Sequence, residues 1–167
     1  MCAHADNTNE TIELLVQKLY PAIQHQFILI SSCNDCVTSN PDNPNAALYN
    51  LLNELKNEFQ SLITYENKLV FPSVIKVFDK KGANENSPTP SIADLLKLTK
   101  SKEQKIVQLA TEVQAEISMM DLADKEATVN KLIHLFQNDF VSEKNKWNNM
   151  IQARLDSCSC FIKQYES

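Results

Sequence analysis

A chain of 167 residues with one glycine, Gly82, is barred from most folds before anything else is read. Tight hairpins, phosphate-cradling loops and sharp strand-to-helix turns draw on backbone conformations that glycine adopts at little cost. An all-α chain is what remains. The prolines fall where helices should stop: Pro41 and Pro44 in TSNPDNPN, and Pro88 and Pro90 in GANENSPTPS, mark two loops.

Between those loops the apolar residues recur at spacings of three and four, the period of one helix face. Four helices are predicted. The first covers about 11–32 with Ile12, Val16, Leu19, Ile23, Phe27 and Ile30 on its stripe, and Pro21 either starts its regular part or bends it. The second covers about 46–78 with Leu48, Leu51, Leu55, Phe59, Leu62, Leu69 and Ile75, and Pro72 should kink it. The third begins near Ser91, whose hydroxyl is placed to cap a stripe of Ile92, Leu95, Ile106, Leu109, Val113 and Ile117. The fourth follows MMDLADKE and carries Val129, Ile133, Phe136, Phe140, Trp147, Ile151 and Leu155. Long amphipathic helices with short links predict an antiparallel up-down four-helix bundle. Residues 1–10 are expected to form a flexible tail and 11–167 a single bundle domain.

Charge and hydropathy exclude several function classes. A net charge of -5 argues against a phosphate-neutralising surface, so no nucleic-acid partner is expected. No apolar run is long enough for a membrane span, and MCAHADNTNE lacks the basic and hydrophobic segments of a signal peptide. A cytoplasmic protein without membrane association is the expectation, as monomer or homodimer. No Ser-His-Asp grouping, glycine-rich phosphate loop or His-Glu-x-x-His helix supports a hydrolase or a nucleotide enzyme.

Chemistry is suggested instead by polar residues on the apolar stripes. Glu66 falls four residues after Leu62 and three before Leu69, which turns it inward. A carboxylate inside a bundle is costly unless it is paired, hydrogen-bonded or bound to metal. At the same period Gln26 lies on the first helix, Thr99 and Lys102 on the third, and Glu143 near the seam of the fourth. Inward polar groups from facing helices are how bundles build metal and cofactor sites. The competing reading is an ion pair: Lys102, or Lys144 if the fourth helix is rotated, neutralises Glu66 or Glu143.

The run NELKNEFQSLITYENKLVFPSVI resembles the second helix of hemerythrin-like proteins, especially their iron-centre repair branch. That helix typically carries a His, three residues, a Glu and a short apolar step into Phe-Pro. Glu66 matches the family's bridging carboxylate and Phe71-Pro72 its Phe-Pro, while Leu62 stands where the His should be. In EKNKWNNMIQARL the family's His-x-x-x-Glu is replaced by Glu143 and Trp147, with Asn148-Asn149 kept. The family's first-helix His falls near His25-Gln26, and Thr99 sits about where the third helix would supply another. The resemblance implies a pocket of His25, Gln26, Leu62, Glu66, Thr99, Lys102, Glu143 and Trp147. Its metal ligands, if iron is held, would be Glu66, Glu143 and His25. With three histidines in the chain, the implied function is a bundle that has lost its family's di-iron binding. Such a protein acts as a non-catalytic binding or regulatory protein, on a protein or a small apolar ligand, with Leu62 and Trp147 filling the former metal space. One alternative is a metal-binding stress-response protein of the iron-sulfur repair type, with an altered, carboxylate-rich site.

A third reading rests on thiols. Five cysteines occur, with Cys33-x-x-Cys36 and Cys158-x-Cys160 as pairs. In an up-down bundle these pairs end the first and fourth helices at opposite poles, which argues against one shared zinc site. Cys33 and Cys36 remain candidates for thiol-based redox work.

Overall fold

The computed structural model describes residues 5–31, 45–78, 91–119 and 126–165. Among these residues all but Asn45, Ser91 and Met119 are helical, no strand occurs, and the helices form four rods. The first rod comprises α1 (Ala5–Leu14), a π-helical stretch (Leu15–Leu19) and α2 (Tyr20–Ser31). The second comprises α3 (Ala46–Tyr65), a π-helical stretch (Glu66–Val70) and α4 (Phe71–Phe78). The third is the single helix α5 (Ile92–Ser118). The fourth runs through α6 (Glu126–His134), a π-helical stretch (Leu135–Phe140) and α7 (Val141–Tyr165).

The first rod's helix runs from Ala5 rather than from near residue 11, and Thr8 within it is buried. Ser91 occupies the N-cap position of α5, and its carbonyl accepts the Leu95 amide at 3.0 Å. Its hydroxyl makes no cap bond, contrary to expectation. Pro41, Pro44, Pro88 and Pro90 lie outside the described residues.

The first two π stretches each end directly before an aromatic residue and a proline: Tyr20-Pro21 and Phe71-Pro72. A proline inside a helix lacks an N–H and its ring collides with the carbonyl four residues back. A wider turn in the preceding segment, closed from Glu66 O to the Phe71 amide, absorbs that conflict without ending the rod. It also holds one extra residue, which rotates everything after it. Val70, Phe71 and Val74 are therefore buried, while Leu69 and Ile75, expected on the stripe, are exposed. In the first rod Leu15 is fully buried and Ile12 and Val16 are only half-buried.

One apolar cluster draws residues from all four rods. Its centre is aromatic. Phe59 stands edge-on to Phe136 and to Tyr20, with ring centroids 5.2 and 5.5 Å apart, and Phe27 and Phe140 close the layer. Farther along, Phe71 meets Trp147 edge-on at 5.3 Å. Edge-to-face contacts of this kind add about 0.5–1.5 kcal/mol each beyond the area they bury.

Cross-rod bonds fix which residues face one another. Ser61 meets Lys102 at 2.9 Å and Glu58 meets Lys105 at 2.8 Å, so numbers rise in one rod as they fall in the other. The same inverse order holds between the third and fourth rods, where Gln114 meets Gln137 at 3.0 Å and Glu103 meets Asn148 at 3.0 Å. Between the first and fourth rods α1 packs on α7 and α2 on α6.

Candidate functional site

The two aromatic layers enclose a polar one. Glu66 opens the second π stretch and is 0% exposed, Lys144 lies one turn past the third and is 1% exposed, and Glu103 on α5 is 8% exposed. The Lys144 ammonium donates to Glu66 Oε1, and the Tyr20 hydroxyl donates to Glu66 Oε2. Lys144 Nζ also lies 3.1 Å from Glu103 Oε1. The Asn148 amide donates to Glu103 Oε2 at 3.0 Å. Each rod thus supplies at least one member: Tyr20, Glu66, Glu103, and Lys144 with Asn148.

Packing places these groups in a medium that penalises charge. Burial pushes the Glu66 carboxyl above its ordinary value of 4.5, against the opposing pull of Lys144 and of the Tyr20 hydroxyl. Burial likewise pushes the Tyr20 hydroxyl well above 10.0, reinforced by the negative charge of Glu66. Tyr20 is therefore a firm hydrogen-bond donor, and the buried set holds two carboxyls against one ammonium.

The expected site residues separate into those the structure gathers and those it does not. Glu66 and Lys144 meet directly, the ion-pair arrangement with Lys144 as partner. Lys102 takes no part; it donates to Ser61 at the surface. Glu143 is half-buried and pairs with exposed Lys146 at 2.6 Å, so it does not join Glu66. His25 is exposed, which removes it from any set centred on Glu66. Gln26 is buried as expected, but Tyr20 is the first rod's member of the cluster. Thr99 is buried and its hydroxyl turns back to the Leu95 carbonyl at 2.9 Å. Leu62 and Trp147 are fully buried, and among the described residues the Trp147 indole N–H has no hydrogen-bond partner. Cys33 and Cys36 lie outside the described residues.

Tyr20, Glu103 and Asn148 were not expected as site residues. A signal for Glu103 existed, since it is three before Ile106 and four after Thr99. Tyr20 keeps the period of Ile23 and Phe27 but directly precedes Pro21, where a helix would ordinarily start afresh.

As a metal pocket this set fits poorly. Glu66 and Glu103 converge on one point, and the Lys144 nitrogen is that point. Among the described residues no third His, Cys, Asp or Glu joins them. Leu62 has no ligating atom, and the indole of Trp147 is a donor only. A partly open cleft of about 310 Å³ between α5 and α7 reaches the cluster from outside, with Glu103 and Lys144 in its lining.

No family model, curated protein or solved structure matches this chain.

Proposed function

We propose that the chain is a hemerythrin-like, antiparallel up-down four-helix bundle in which a lysine has replaced the di-iron centre. It works in the cytoplasm as a non-catalytic binding or regulatory protein, on a small ligand or a partner protein. The observation that carries this reading is the Lys144 ammonium set between the Glu66 and Glu103 carboxylates. A side-chain cation there does electrostatically what a metal would do, without open coordination positions for oxygen or substrate. The inverse order of the cross-rod pairs supports the up-down arrangement. The Glu66 to Phe71-Pro72 step and Asn148 support the resemblance, since Glu66 and Asn148 both belong to the polar layer.

The residues do not fit the family's di-iron group. Two carboxyls already share an ammonium, a phenol holds one of their oxygens, and the positions where the family carries further ligands hold Leu62 and Trp147. Nothing in the chemistry proposed here passes through iron.

Thermal unfolding of chelator-treated protein with and without added ferrous, manganous or zinc ion tests the reading. A ligand that binds only the folded state at 100 times its Kd adds about 2.7 kcal/mol of stability. The expected result is an unchanged midpoint with each metal. A rise of several degrees with iron or manganese, absent in Glu66→Ala, overturns it.

A further inference from the structure

We propose that Lys144 and Glu66 are the two halves of an internal amide: the folded chain joins Lys144 Nζ to the side-chain carboxyl carbon of Glu66 and releases water, with Glu103 as the base. The bond ties the second rod to the fourth and goes beyond the binding reading above.

The groups that such a reaction needs are already in contact. Lys144 is the nucleophile, and its nitrogen meets Glu66 Oε1, one bond from the carbon it attacks. Tyr20 donates to the other oxygen, Oε2, on which negative charge develops when that carbon becomes tetrahedral. Glu103 Oε1 lies 3.1 Å from the Lys144 nitrogen, close enough to take its proton, and Asn148 holds Glu103 through Oε2 at 3.0 Å. Well-oriented groups held in one molecule reach effective molarities of about 10⁵–10⁸ M.

Burial supplies the driving force. In water an amine and a carboxylic acid rest as hydrated ions, but Glu66 and Lys144 are fully buried and have lost that hydration. A neutral amide removes both charges from a medium that penalises them. The step balances without a co-reactant. Glu103 takes a proton from the ammonium, the freed lone pair of the nitrogen forms the N–C bond, and the C–Oε1 bond breaks. Oε1 leaves as water with two protons from the nitrogen, one of them delivered by Glu103, which returns to its carboxylate form. The cleft between α5 and α7, with Lys144 in its lining, is the exit for that water.

The lysine cation of the reading above is the starting state of this reaction. A chain that has reacted has no titrating carboxyl at residue 66, so pH-dependent unfolding through Glu66 belongs to chains that have not.

Tryptic digestion and tandem mass spectrometry of the full-length wild type, freshly purified and after prolonged incubation in native buffer, test the proposal. The expected product is a branched peptide joining Glu66 to Lys144, one water lighter than its two arms together and increasing with time. Lys144→Met should lack it, incubation in urea should not produce it, and Glu103→Gln should slow it by about a hundredfold or more. If either variant does not fold, native buffer against urea still decides with the wild type alone. Linear peptides only in the incubated native protein overturn the proposal, as does a branch that forms as fast in urea or in Glu103→Gln. That failure leaves the lysine-for-metal reading standing, whereas a stabilising metal removes the latter.

Discussion

Glu66 could be placed inward from sequence because Leu62 stands one turn before it on a regular stripe. Its partner could not be chosen the same way. From Phe140 to Trp147 a helix face passes through either 143 or 144, and from Thr99 to Ile106 through either 102 or 103. In both rods the structure takes the later residue, so Lys144 and Glu103 are buried where Glu143 and Lys102 were expected. The consequence is measurable in pH. The folded-state carboxyl of Glu66 sits above 4.5, so between that value and its raised one the native state binds more protons than the unfolded state. Its contribution to stability is fully present below about pH 4.5 and is lost as pH rises through the folded value, with a slope of at most about 1.4 kcal/mol per pH unit. Urea unfolding across this range should show that decline in the wild type and a flatter profile in Glu66→Gln. Equal slopes would mean that burial does not govern this carboxyl.

At the scale of elements, the rods were legible and their internal rotations were not. Stripes with three-and-four spacing announce a helix, but they do not announce a turn closed by bonds to the fifth residue. The slip shows only afterwards, in Val70, Phe71 and Val74 replacing Leu69 and Ile75 at the core. Both aromatic-proline steps mark where it happens, which gives the sequence a sign that can be read: a Pro within an otherwise continuous stripe calls for a shift of one residue beyond it. Removing exposed Asn67 should close the Glu66-to-Phe71 turn as an ordinary α-helical one, leaving Phe71 and Val74 inward and the urea midpoint close to that of the wild type. Each large apolar side chain turned outward would cost about 1.5–3 kcal/mol, so a midpoint lowered by the equivalent of several kcal/mol would show that the π stretch does not set the register of α4.

For the whole molecule, scarcity of glycine, the two proline-marked loops and the three-and-four apolar spacing were together enough to predict an all-α chain in four helices. What they could not reveal is how the rods share one buried charge cluster, because that depends on rotations decided jointly by neighbours. The polar layer lies between the Phe27–Phe59–Phe136–Phe140 layer and the Phe71–Trp147 pair. Such surroundings make the pairing of Glu66, Lys144 and Glu103 a condition for burying any of them. The account therefore turns on whether Lys144 is the cation that this layer was built around. The most direct measurement is the metal content of protein produced with iron and manganese in supply, alongside Glu66→Ala. The account predicts far less than one metal ion per chain in both proteins; close to one iron or manganese per wild-type chain, lost in Glu66→Ala, would contradict it.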